Sequence, residues 1–138
     1  MPRQVFVDAT AWIATADNSE ARHGDAVKVY SQLLRDGSLL VATSLVIAEA
    51  HILLRRRLGY RAAMRFLNSV NESPRIEIVH PDPHLEAAAK QILRQYDDQD
   101  FSLADAFSFA LMRERGITEA FAFDQHFVTA GFVLIPPS

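Results

Sequence analysis

The sequence predicts an α/β protein, with a parallel sheet of about five strands covered by helices on both faces. Two observations carry this. Five short apolar, β-prone runs are spread along the chain, and segments of helical spacing separate them, the pattern that parallel sheets require. A third supports it: at 138 residues, 49% hydrophobic and 22% charged, the chain is long and apolar enough to bury a real core.

The elements follow in order. Val5-Phe6-Val7 reads as a buried strand ending at Asp8. Thr10 to Ala16 is a short helix closed by the polar turn Asp17-Asn18-Ser19. From Glu20 to Arg35, Ala26, Val27, Val29, Tyr30, Leu33 and Leu34 recur near helical spacing, and Gly37 stops the helix. Leu39 to Ala42 is the second strand, after which Thr43 or Ser44 caps a helix to about Leu58, ended by Gly59. A further helix covers about Tyr60 to Val70, and Pro74 marks the break. Arg75 to His80 alternates as a third strand, and Pro81 and Pro83 introduce a helix through about Tyr96. Asp97-Asp98-Gln99-Asp100 is a solvated loop, followed by a helix from Ser102 to Arg115 with Gly116 as its stop. Ala120 to Phe123 is the fourth strand, ending at Asp124, and Phe132 to Ile135 is the fifth, ended by Pro136 and Pro137. No repeat, linker or composition shift marks a boundary, so residues 1–138 are read as a single domain.

Composition removes several classes of function. The absence of cysteine excludes disulfide scaffolds, thiolate zinc sites, iron–sulfur clusters and thiol catalysis. With 5 Gly and 6 Pro the chain is not low-complexity. Charge breaks every apolar run before it reaches the length of a membrane span, and Asp8 interrupts the stretch where a secretory leader would have its core, so a cytoplasmic protein is expected. The net charge of −3 argues against a general nucleic-acid binder. Setting aside Asp8, Glu49, Asp105 and Asp124 leaves the rest of the chain close to neutral, however, and Arg55, Arg56, Arg57, Arg61 and Arg65 are concentrated in one region.

Those four acids are the candidate site. Asp8 and Asp124 each end a strand, and the C-terminal ends of parallel strands share one rim, where ligands bind; the bland alternative is that each caps the next helix. Glu49 is the sole acid of Ser44 to Leu54, a strongly apolar helix, with Leu45, Val46, Ile52 and Leu53 on its face. A carboxylate buried there needs a cation or an arginine partner. Asp105 stands three residues after Ser102 in a capping-box spacing, at a helix N-terminus that also opens onto the rim. Four carboxylates from four segments converge only around a cation, and without Cys or a paired His set that cation is hard and oxygen-seeking, Mg²⁺ or Mn²⁺. The spacings of nucleotide-binding glycine loops, nucleophile elbows and zinc-protease helices are absent. His23, His51 and His126 are read as surface or rim residues, and Phe101, Phe107 and Phe109 as core. Arg55, Arg56 and Arg57 are read equally as an RNA-backbone contact or as a surface for an acidic partner, against the plainer possibility of a solvated face.

Phe6-Val7-Asp8-Ala9-Thr10, Glu49, Asp100 through Ala110 and Phe123-Asp124-Gln125-His126-Phe127 together resemble the PIN-domain family, in particular the small VapC-type toxin ribonucleases of toxin–antitoxin pairs. The likeness extends from about Val5 to Ile135. It implies a three-layer α/β/α sandwich and a Mg²⁺- or Mn²⁺-dependent endoribonuclease. It assigns Asp8, Glu49, Asp105 and Asp124 as the catalytic and metal-binding quartet, with Asp8 and Asp105 the strongest ligands, and Thr10, Asp100 and Ser102 as supporting polar groups. It also implies an RNA substrate, a cognate antitoxin and a homodimer. The competing expectation is a non-catalytic PIN-like module that binds RNA or protein. A receiver-like signalling domain fits poorly, because Ala9 follows Asp8 and the third strand ends in His80 rather than an acceptor Asp.

Overall fold

A computed structural model describes residues 2–137. Its elements run β1 (Gln4–Val7), α1 (Ala9–Ala16), α2 (His23–Arg35), β2 (Leu39–Thr43), α3 (Ser44–Leu58), α4 (Tyr60–Glu72), β3 (Ile76–Val79), α5 (Pro83–Gln95), α6 (Leu103–Arg115), β4 (Glu119–Phe121), α7 (His126–Thr129) and β5 (Val133–Ile135). The five strands form one sheet in the order β3-β2-β1-β4-β5, with every neighbouring pair parallel. The expected α/β sandwich with a five-stranded parallel sheet is the fold observed.

This order decides where a ligand can bind. From β1 the chain moves outward to β2 and β3, then returns across the sheet to β4 and β5. Right-handed crossovers therefore place α1 to α4 on one face and α5 and α6 on the other. The reversal falls between β1 and β4, whose C-terminal ends splay their connections apart and leave a crevice. The residues that follow β1 and β4 are thus set at the switch point by topology alone.

Local chemistry fixes the element ends. Thr43 caps α3 by accepting a hydrogen bond from the Val46 N–H at 3.2 Å. Gly116 ends α6 in the left-handed region at φ 66°, which costs a glycine little. The central strand β1 is buried along Val5, Phe6 and Val7, whereas the edge strand β3 is only half-buried throughout. Helix α6 is buried from Ala106 to Met112 without a break, because it lies between α5 and the sheet. Phe109 is the aromatic centre of that packing, with ring centroids 5.0 Å from Phe101, 5.0 Å from Phe127 and 5.7 Å from Phe132. Phe101, Phe107 and Phe109 are all core residues, as expected. Phe109→Ala should lower stability by about 3–5 kcal/mol in urea unfolding, the usual cost of emptying a fully enclosed aromatic site; a loss under about 1 kcal/mol would contradict this packing.

Two local expectations need correction. The fourth strand ends at Phe121, not Phe123, because the Phe123 N–H donates to the Thr10 hydroxyl at 3.0 Å instead of to a strand partner. Asp124 therefore sits three residues past the strand rather than at its tip. The single turn α7 was not expected at all; four residues carry no helical period.

Candidate active site

Asp8 directly follows β1 and caps α1. Its Oδ2 accepts from the Thr10 hydroxyl at 2.9 Å and from the Thr10 N–H at 3.4 Å. The capping role weighed against a functional one is thus real, and it holds the carboxylate rigidly at the switch point. The side chain is buried, and burial pushes its carboxyl up to about 6, with the nearby Asp124 charge adding to the effect and the Thr10 hydroxyl opposing it. Thr10 has a second task. By accepting from the Phe123 N–H it ties the segment carrying Asp124 to the segment carrying Asp8.

Asp105 and Ser102 form a full capping box at the start of α6: the Asp105 N–H donates to the Ser102 hydroxyl at 2.9 Å, and the Ser102 N–H donates to the Asp105 carboxylate at 3.1 Å. One carboxylate oxygen thereby fixes the helix end while the side chain faces the rim. Asp124 accepts from the His126 N–H at 2.9 Å.

His126 corrects the plain reading of that residue. It lies at the rim, as expected, but its ring bridges the acids: Nδ1 is 3.1 Å from Asp105 and 3.6 Å from Asp124, and Nε2 is 3.0 Å from Asp100. Partial burial disfavours its protonation, yet Asp124, Asp105 and Asp100 outweigh this and hold its pKa above the ordinary value. The signal was present in the sequence as a histidine two positions after Asp124. Nothing in the sequence showed that α7 would turn its ring toward α6.

Glu49 also differs from expectation. It is an exposed residue, and two of the four neighbours on its face are open, Leu45 at 38% and Ile52 at 40%, while Val46 is buried and Leu53 half-buried. Its carboxylate is therefore not sunk in an apolar stripe. What remains is convergence: partial burial of the carboxyl, then the charges of Asp105 and Asp124, raise its pKa. Asp124 thus lies within electrostatic reach of both Asp8 and Glu49, and Asp105 within reach of Glu49. Asp100 stands at the edge with its side chain 94% exposed.

The donor set fits a hard divalent cation. Asp105, Asp124 and His126 each offer a ligand atom, and these atoms lie within 4.8 Å of one another. Among the described residues, none of the four acids is paired with Lys or Arg; the ion pairs of the site all go to His126. Clustered carboxylates with one histidine and no Lys or Arg among them are costly, and a bound cation relieves that cost. Thr10→Val should leave the Phe123 N–H unpaired and lower stability by about 1–3 kcal/mol, while Thr10→Ser keeps the hydroxyl and restores it. Thermal melts of the two variants side by side check this.

The arginine run is placed less uniformly than its sequence suggests. Arg55, Arg56 and Arg57 are all exposed at the end of α3. Arg55 covers the Tyr60 ring at 5.3 Å. Arg57 pairs with Glu20 and lies 3.8 Å from the buried Asp17.

A buried aspartate fixed by a hydroxyl at a sheet switch point, with Asp124 beside it and a capping-box aspartate across the rim, defines a nuclease-like acidic centre on an α/β sandwich. Residues 5–133 match the PIN domain, and the chain belongs to the PIN-domain family. The chain is 35% identical over 133 residues to the 23S rRNA-specific endonuclease VapC20 of Mycobacterium tuberculosis, in both strain CDC 1551 / Oshkosh and strain H37Rv, covering 96% of this chain and 98% of the relative. The crystal structure of M. tuberculosis VapC20, described as a sarcin–ricin loop cleaving toxin, superposes with a TM-score of 0.84 at 34% identity, covering 94% of this chain and 96% of that one.

Proposed function

We propose that this protein is a divalent-metal-dependent endoribonuclease of the VapC toxin type, and that its substrate is 23S ribosomal RNA. The observation that carries the proposal is the convergence of Asp8, Glu49, Asp105 and Asp124 at the switch point without a Lys or Arg partner. Such a centre would repel a phosphodiester unless a cation is bound. Asp105 and Asp124, with the His126 ring beside them, would hold Mg²⁺ or Mn²⁺, and Asp8 and Glu49 would complete the set. When bound, the ion lowers the pKa of a water nucleophile and offsets charge on the phosphate.

The remaining work falls to the chain's own groups. Thr10 orients the Asp8 carboxylate and keeps Asp124 beside it. The Ser102 box sets the Asp105 side chain. His126 and Asp100 frame the entrance, and the exposed Arg55 and Arg56 meet the RNA backbone or an acidic surface of a partner. Likeness to VapC toxins supports a cognate antitoxin, a homodimer and a cytoplasmic setting. Among the described residues no helix is long and apolar enough to cross a membrane, which accords with that setting. We read the whole chain as a single domain.

The test of substrate is direct. Purified protein with Mg²⁺ or Mn²⁺ is incubated with intact ribosomes and with deproteinised total RNA, and new ends are mapped by primer extension. One discrete cut in 23S rRNA is the expected outcome. Cleavage confined to other RNAs would reject the ribosomal substrate, and no cleavage in either pool by a folded protein would favour a binding module.

A further inference from the structure

A second feature lies beside the acidic centre and extends away from it. A cavity of about 250 Å³ opens next to Thr10 and Glu49. Its apolar walls are Ile13, Ala14, Leu53 and the half-buried ring of Phe123, one residue before Asp124. Its charged lining consists of Arg22 and Arg57 against Glu20 and Glu49, so the cavity is balanced rather than cationic. The Arg22 guanidinium carbon sits 4.4 Å from the centroid of the Phe123 ring and is also held by Asp25 at 3.3 Å. Arg57 is held by Glu20 and Asp17.

This chemistry selects its occupant. A phosphate would find no net positive charge here, because both arginines are already paired with acids. A planar, uncharged group would find an apolar wall, an aromatic ring and a guanidinium, the surfaces on which unpaired bases stack. The volume suits one nucleobase, and the shared lining of Thr10 and Glu49 sets that base next to the acidic centre. The polar rim of Glu20 and Arg57 presents an acceptor and donors to a base edge.

We propose that this cavity receives an unpaired base flanking the scissile phosphate, with Phe123 and Arg22 as the stacking platform. The inference rests on the ribonuclease reading and adds to it the residues that seat the base flanking the cut. Phe123 and Arg22 are then positioning residues, which act on substrate binding rather than on the reacting atoms.

The test uses the full-length protein with Mn²⁺ and a hairpin oligoribonucleotide of the sarcin–ricin loop sequence. Parallel hairpins carry an abasic nucleotide at each position flanking the cut. In the wild type, one abasic position should raise KM about 10-fold with a smaller effect on kcat, the scale of losing one base–aromatic stack. Phe123→Leu and Arg22→Gln should each raise KM on the intact hairpin by a similar factor. On the hairpin lacking the critical base, neither variant should add a further loss, because the two changes remove the same contact. Arg22→Gln, on the surface, keeps the test valid if Phe123→Leu melts early. Independent, multiplying losses in variant and abasic RNA would overturn the base pocket while leaving the nuclease intact. A wild type that cleaves neither the hairpin nor rRNA with metal present would overturn the ribonuclease reading itself, and the pocket with it.

Discussion

Asp105→Asn should lower RNA cleavage at saturating RNA by at least about 100-fold and weaken Mn²⁺ binding in parallel. Replacing a group that merely orients a metal ligand already costs about 10–100-fold in affinity or activity, so replacing a ligand costs more. The substitution is well suited to the purpose because the asparagine carbonyl still accepts from the Ser102 N–H, as the aspartate does at 3.1 Å, and the start of α6 is preserved. Removing the charge also relieves Glu49, whose pKa Asp105 helps to raise. The folded protein should therefore be no less stable without metal, while losing both binding and cleavage. Calorimetric titration with Mn²⁺, a melt in chelator and a cleavage time course measure the three quantities. A variant that keeps Mn²⁺ affinity but loses cleavage would remove Asp105 from the ligand set.

The second large effect is on stability and depends on pH. Asp8 is buried, and its carboxyl is pushed up to about 6 from an ordinary 3.8. Between those values the folded protein keeps a proton that the unfolded chain has released, so stability falls as pH rises through the window. Below pH 3.8 both states are protonated and the penalty vanishes. Above pH 6 it is fully present, on the order of 2–3 kcal/mol. Asp8→Asn keeps an oxygen acceptor for the Thr10 hydroxyl and N–H but carries no charge to bury. In chelator the variant should be more stable than the wild type by about 2–3 kcal/mol at pH 7.5, and nearly equal to it at pH 4. The Arg3–Glu119 and Arg115–Glu77 pairs, whose carboxylates are held low chiefly by hydrogen bonds from the arginines, give the opposite slope but are common to both proteins and cancel. Adding Mn²⁺ at pH 7.5 should reverse the order, because the ion stabilises only the protein that binds it. A difference between the two proteins that does not change with pH would contradict the burial argument.

The elements legible in the sequence were those whose signals are local. Strand β1, the Thr43 cap, the Gly59 and Gly116 stops and the Ser102–Asp105 box each depend on neighbours within a few residues, and they form where the residues require. The acids could be picked out because parallel topology fixes one rim for every strand end. What could not be read depends on contacts between distant segments. The Phe123 N–H finds Thr10 across the chain, which shortens β4 and shifts Asp124 away from the strand tip. Glu49 reads as buried because Leu45, Val46, Ile52 and Leu53 share its helix face, yet only Val46 is buried and Leu45 and Ile52 stay open. His126 joins the acids only because an unforeseen single turn carries it toward α6, and the Arg22–Phe123 contact spans segments with no shared pattern. In each case contacts between distant segments, and not local spacing, decided the outcome.

The measurement closest to the central claim is cleavage of the sarcin–ricin hairpin by metal-stripped wild-type protein over a Mn²⁺ titration, with Mn²⁺ binding followed on the same samples. If the four carboxylates form one cation-dependent ribonuclease centre, cleavage is absent in chelator, rises in step with occupancy and stops again when chelator is added back. Cleavage that persists undiminished in excess chelator, by protein shown free of metal and of contaminating nuclease, would contradict the account.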